Sequence, residues 1–227
     1  IIFIRILDFR TTQYTMTNVK LYYYAATGLA NQIRLALAVS GIDWDEVNPP
    51  SFPPSEEDKQ KWRDIGKNTT TNIPMLEMPD GKVYTQSSAV LRAVARMGDK
   101  GLMPGSDDEL YLTDKLLADA SDLRDAAYKT FVNWGCSQEK ADAFIESGLA
   151  LHLSNFERQL SNTNDCFFVG SKLTIADISI YDAVTSFGTG RFPDGGKDLL
   201  TQFPKVKEWI SRVESNTAIA GYISSER

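Results

Sequence analysis

The stretch KLYYYAATGLANQIRLALAVSGIDWDE, residues 20–46, decides the fold. Lys20 to Ala25 is dominated by aromatic residues and reads as a strand. Ile33, Ala36, Leu37 and Ser40 then recur at helical spacing, and Gly41 stops that helix as a C-terminal cap. Ile42 to Val47 reads as a second short strand. Strand, helix, strand in this order predicts a parallel pair joined by a crossover helix.

Working outward, NPPSFPPSEED (48–58) cannot hold regular structure, because its four prolines lack amide donors and fix φ. A short helical piece runs around Lys59 to Ile65. IPMLEM and KVYT flank Pro79-Asp80-Gly81 and read as a hairpin. SSAVLRAVAR follows, with Val90, Ala93, Val94 and Met97 on one face of an amphipathic helix. The order strand, helix, strand, helix, hairpin, helix is the thioredoxin-like pattern. Beyond the Gly- and Pro-rich connector GDKGLMPGSDD (98–108), helical periodicity takes over, with long candidates at Leu110 to Trp134 and Gln138 to Leu160. The expected fold class is therefore α/β plus all-α: a thioredoxin-like domain over 16–98, a linker over 99–108 and a helical-bundle domain over 109–227. Residues 1–15 precede Met16, lack the ordered parts of a signal peptide, and are an unassigned N-terminal extension. Thr174 and Asp177 stand three apart ahead of an apolar run, the spacing of a capping box that starts a buried helix.

Bulk properties narrow the function. A net charge of −6 argues against a nucleic-acid partner, whose phosphates are met by Lys and Arg. No apolar run is long enough to span a membrane. Two cysteines, Cys136 and Cys166, make no disulfide framework and suggest a reducing, cytoplasmic setting. His152 is the only histidine, so a His-based triad or His-rich metal site is not expected, and no metal is.

The detailed sequence resembles the cytosolic glutathione transferases, and most closely their sigma class. The first strand and helix match that class without a gap, and the resemblance continues through NIPMLEM, TQSSAVLRAVAR, LTIADISIYD and FPKVKEWISRVESNTAIAGYI. The register sets Tyr23 on the catalytic tyrosine, Gly28 on the loop glycine and Arg34 on the helix arginine. Alternation along a strand sends Tyr22 and Tyr24 to one face, as packing, and Tyr23 to the other. Glutathione reacts as a thiolate, and a phenol O–H aimed at sulfur favours the anion. Tyr23 is thus the expected thiolate stabiliser. Thr27 competes, because serine-type classes place their activating hydroxyl in this loop; cysteine-type classes are excluded, since no Cys precedes residue 136.

The resemblance implies further contacts to glutathione as co-substrate. Ile73-Pro74 matches the cis-proline position that exposes a strand edge, with Asn72 beside it where sigma members often carry lysine. Gln86 and Ser87 match the pair that holds the γ-glutamyl carboxylate, and Trp62 and Lys67 approximate the clamp on the glycyl carboxylate, with a spacing that differs by one and the run TTT before Asn72. Asp119, or Asp122 in an alternative register, matches an acidic residue reaching glutathione across a homodimer. Leu29 stands where sigma members usually have arginine. Tyr111 and Tyr128 are candidates to line a pocket for an apolar electrophile. The implied activity is conjugation of glutathione to electrophilic small molecules; a silent binding or structural protein and a glutathione-dependent isomerase are the alternatives.

Overall fold

The structure is a computed structural model that describes residues 19–68, 70–98, 100–131, 137–163, 165–189 and 198–225. The extension 1–15, Cys136 and the Lys67 side chain lie outside the described residues.

Strands β1 (Val19–Tyr22), β2 (Trp44–Val47), β3 (Met75–Glu77) and β4 (Val83–Thr85) form one sheet in the order β2-β1-β3-β4. β1 pairs parallel to β2 through the crossover helix α1 (Asn31–Ser40) and antiparallel to β3. Gly41 caps α1 in the left-handed conformation, at φ 65°, as its place after the apolar series predicts. The Pro79-Asp80-Gly81 turn closes the β3–β4 hairpin, with Met78 N–H donating to the Lys82 carbonyl at 2.8 Å.

Helix α2 (Glu56–Asp64) starts three residues earlier than the sequence suggests, because Ser55 Oγ accepts the Asp58 amide at 3.1 Å and caps it. Helix α3 (Ser87–Met97) follows the hairpin, and its apolar face packs on α1. Both the Phe52–Pro53 and Ile73–Pro74 peptides are cis.

Helix α4 (Asp107–Phe131) opens the helical half. The expected single helix from Gln138 is instead α5 (Gln138–Ala143), a wide turn over Phe144–Leu149, and α6 (Ala150–Ser161). The wide turn lets the Phe144 ring lie over Gly148, where any Cβ would stand 2.8 Å from the ring. His152 sits half-buried on α6; burial lowers its pKa, with Asp122 and Asp119 opposing. Helix α7 (Ile175–Asp182) begins at the Thr174–Asp177 box, with both reciprocal bonds formed. Helices α8 (Pro204–Glu214) and α9 (Thr217–Ser224) close the chain.

One apolar core runs through both halves, from Leu21, Ile33 and Leu91 to Leu116, Ile178 and Trp209. Helix α1 is its hinge, packed against α3 on one side and against α7 and α9 on the other. Because α1 carries the loop after β1 at its N-terminus, the helical half fixes the place of that loop.

Candidate active site

The site begins where β1 ends. Tyr23 makes one more sheet bond, its N–H to the Val47 carbonyl at 3.2 Å, and the chain then leaves the sheet. Arg34 pins much of this loop. Its Nη1 donates to the carbonyls of Ala26 at 2.7 Å and Thr27 at 3.4 Å, and its Nη2 donates to that of Tyr24 at 3.1 Å. Nε and Nη2 grip the Glu46 carboxylate of β2 at 2.6 and 2.8 Å. All five guanidinium donors are thereby used, so Arg34 serves the loop and has none left for a ligand.

That loop brings the Tyr23 phenol back onto its own backbone. The Leu29 N–H donates to Tyr23 Oη at 2.9 Å. A phenol oxygen also carries a proton, and this one remains free to donate elsewhere. Burial raises the Tyr23 pKa above its usual 10, and the Leu29 amide and the Arg34 charge oppose that shift. The group is therefore a neutral O–H donor at physiological pH.

The close approach depends on Gly28. At φ +44° it lies in the left-handed region, and a Cβ there would overlap Tyr23 Oη and two ring carbons. Gly28→Ala is expected to cost about 1–2 kcal/mol of stability from the backbone alone. It should also displace the phenol, so the variant's activity should fall further than its melting temperature accounts for. Unchanged turnover in Gly28→Ala would remove the packing argument for Tyr23.

The phenol opens into a cavity of about 630 Å³ between sheet, α2 and α4. Of the residues expected at the site, Tyr23, Trp62, Asn72, Ile73, Pro74, Gln86 and Ser87 all line it. Thr27 does not. It is exposed and lines a separate depression with Arg34, Trp44 and Glu46. Asp119 lies on α4, paired with Lys115 at 2.5 Å, in another surface depression; Asp122 is exposed on the same helix.

Gln86 is the only described non-glycine residue with positive φ, at 70°. It stands at the N-cap of α3, its carbonyl accepting the Ala89 and Val90 amides at 2.8 and 2.9 Å. Strain of this kind persists where surrounding structure enforces it. Here it aims the open first turn of α3, with unpaired amides and the positive end of the dipole, at the cavity. Ser87 is the first helical residue, directly after the Gln86 cap. Trp62 is buried against Tyr22 and Met75, so only part of its indole faces the cavity.

Lys59, Phe52 and Tyr24 also line the cavity, and the sequence placed none of them there. Lys59 brings a cation, paired with Glu56 at 2.6 Å. Phe52 stands 61% exposed at the rim. Tyr24 packs its ring on Phe52 at 5.2 Å and lines the cavity, although strand alternation predicts it beside Tyr22. The reason is that β1 stops at Tyr22, and alternation stops with it. Tyr128 of α4 lines the cavity as expected, whereas Tyr111 is 73% exposed and lies 17 residues earlier, about 25 Å along the helix.

Comparison with known proteins gives the family. The family model described as glutathione S-transferase, N-terminal domain, matches residues 19–96, and the one described as glutathione S-transferase, C-terminal domain, matches residues 121–226. The chain belongs to the glutathione S-transferase family. It is 29% identical over 220 residues to glutathione S-transferase P 2 of the toad Bufo bufo, covering 94% of this chain and 93% of that one. It is 26% identical to the class-mu 28 kDa glutathione S-transferase isozyme of Schistosoma japonicum, over 85% of this chain and 97% of that one. Among solved structures it superposes on a monomeric glutathione S-transferase of the hookworm Necator americanus with a TM-score of 0.76 at 21% identity, covering 93% of this chain and 98% of that one. That likeness shows the shared fold. Among the described residues, no helix is long and apolar enough to cross a membrane, and no group of three metal-binding side chains occurs.

Proposed function

We propose that this glutathione transferase is of the tyrosine type and sigma-like, with Tyr23 stabilising the glutathione thiolate while it attacks an electrophilic carbon. The observation that carries the reading is the Tyr23 hydroxyl, held by the Leu29 amide at 2.9 Å with its own proton free at the cavity. The Tyr23–Gly28–Arg34 spacing of the sigma register supports the class.

Glutathione is read as lying along the Ile73–Pro74 edge, where a peptide ligand adds like a strand. Its γ-glutamyl carboxylate meets Gln86 and Ser87 at the start of α3. Trp62 and Asn72 flank its glycyl end, and Lys59 and Lys67 are the cations for that carboxylate. Asp119 serves the glutathione of a partner subunit in a homodimer. The acceptor occupies the apolar part of the cavity beside Tyr24, Leu29, Phe52 and Tyr128. The same reading divides the chain at 99–108 and places the protein in the cytoplasm.

The test combines retention on immobilised glutathione with turnover of an activated aryl halide. Both are expected. Retention without turnover would turn the protein into a binding module, and failure of both would remove the site.

A further inference from the structure

Helix α1 buries three polar side chains in its first turn, Asn31, Gln32 and Arg34. Arg34 serves the loop after β1. The other two face the helical half, where apolar side chains would fill the space without the desolvation cost of burying amides. Each makes hydrogen bonds through both its amide nitrogen and its amide oxygen instead. Asn31 Nδ2 donates to Asp182 Oδ1 at 2.8 Å, and Asn31 Oδ1 accepts from Tyr222 Oη at 2.8 Å. Arg124 Nη2 donates to the same Asp182 carboxylate at 2.9 Å.

Gln32 belongs to a second chain of bonds. Arg124 Nη1 donates to Ser179 Oγ at 3.1 Å, and Ser179 Oγ donates to Gln32 Oε1 at 2.9 Å. Gln32 Nε2 donates in turn to the Leu29 carbonyl at 3.4 Å, the longest link. Leu29 is therefore held from both ends: its carbonyl by Gln32, its N–H on Tyr23 Oη.

We propose that Gln32 and Ser179 are positioning residues for the thiolate chemistry: through them the helical half holds Leu29, and Leu29 sets where the Tyr23 phenol stands. The proposal rests on the Tyr23 reading above. Its physical content is that a phenol accepting a well-placed N–H is a stronger and better-aimed donor, because linked hydrogen bonds polarise one another. Loosening Leu29 weakens that donor without touching glutathione. No atom of Ser179 lines the cavity, so its effect must travel through the chain of bonds.

The experiment measures the thiol pKa of bound glutathione from the pH dependence of thiolate ultraviolet absorbance, alongside kcat and KM. Gln32→Leu keeps the volume and removes the bonds; Ser179→Ala removes the hydroxyl, and Ser179→Thr restores it. Gln32→Leu and Ser179→Ala are each expected to lower the thiol ionisation constant about threefold to tenfold. Each should lower kcat and leave KM for glutathione within about twofold, since an interaction felt in the reacting anion is lost and ground-state binding is not. Ser179→Thr is expected to recover the parent value. In a Tyr23→Phe background neither substitution should shift the thiol further.

An equal shift in that background would overturn the proposal, and so would an unmoved thiol pKa in folded variants that merely melt earlier. A Tyr23→Phe protein whose thiol pKa matches the parent is a separate result. It would overturn the Tyr23 reading, and this proposal with it.

Discussion

Tyr23→Phe is expected to lower kcat/KM for glutathione conjugation by about 10- to 100-fold near pH 6.5, the equivalent of losing one hydrogen bond to a charged acceptor. The loss should fall mostly on kcat, because the phenol meets sulfur and leaves the peptide contacts at Gln86, Ser87 and Pro74 in place. Its pH dependence distinguishes the mechanism. In the parent, kcat/KM for the electrophile at saturating glutathione should rise with pH as the bound thiol ionises and then level off. The ionising group is the thiol, since burial holds Tyr23 above its usual pKa and keeps it a donor throughout. Without the phenol the thiol pKa moves up by about 1–2 units, so the rise shifts to higher pH by that amount. The deficit should therefore shrink toward pH 9, where both proteins hold glutathione ionised. Thr27→Ala should leave this profile unchanged, because Thr27 faces the depression of Arg34 and Glu46. A constant deficit at every pH would mean that Tyr23 acts on something other than ionisation. Full activity in Tyr23→Phe, with loss in Thr27→Ala, would transfer the role to Thr27.

What the sequence disclosed about this site was local or regular. The crossover, the hairpin and the Thr174–Asp177 box each depend on residues a few positions apart, and each formed where it was read. The register from Tyr23 through Gly28 to Arg34 is similarly compact. It pointed to a phenol that the structure turns onto its own backbone. What was hidden depends on conformation or on distant partners. Nothing in the residue types of Thr85-Gln86-Ser87 announces a positive φ at Gln86, because glycine is the usual resident there. Tyr24 turns into the cavity because sheet pairing ends before it, and strand ends are poorly marked in sequence. Asn31 and Gln32 are polar residue types that carry no local signal of burial. They are interior because Asp182, Ser179 and Tyr222, lying 147 to 191 residues away in the chain, come to meet them.

Asp177→Ala is expected to be the most destabilising single change in the helical half, by about 3–5 kcal/mol. The side chain is completely buried and accepts four hydrogen bonds from donors of the core. Oδ2 accepts the Thr174 N–H and Thr174 Oγ1, both at 2.9 Å. Oδ1 accepts the Phe168 N–H at 3.0 Å and the Trp209 indole N–H at 2.9 Å. Removing the carboxylate leaves two amides and an indole N–H facing apolar core, each costing about 1–3 kcal/mol if unpaired. For a chain of this size the melting temperature should drop by about 10 °C. Thr174→Ala takes away only one partner and leaves the amides satisfied by Asp177, so about 1 kcal/mol is expected there. The contrast separates a local cap from a tertiary anchor. A helix-capping role alone would make the two variants alike, whereas the bonds from Phe168 and Trp209 make Asp177 the point where α7, α8 and the preceding loop are tied. Since α7 also carries Ser179 and Asp182, its start must be fixed before those side chains can reach α1. Equal melting temperatures for Asp177→Ala and Thr174→Ala would reduce the box to its capping function and leave the core contacts to hold α7 in place.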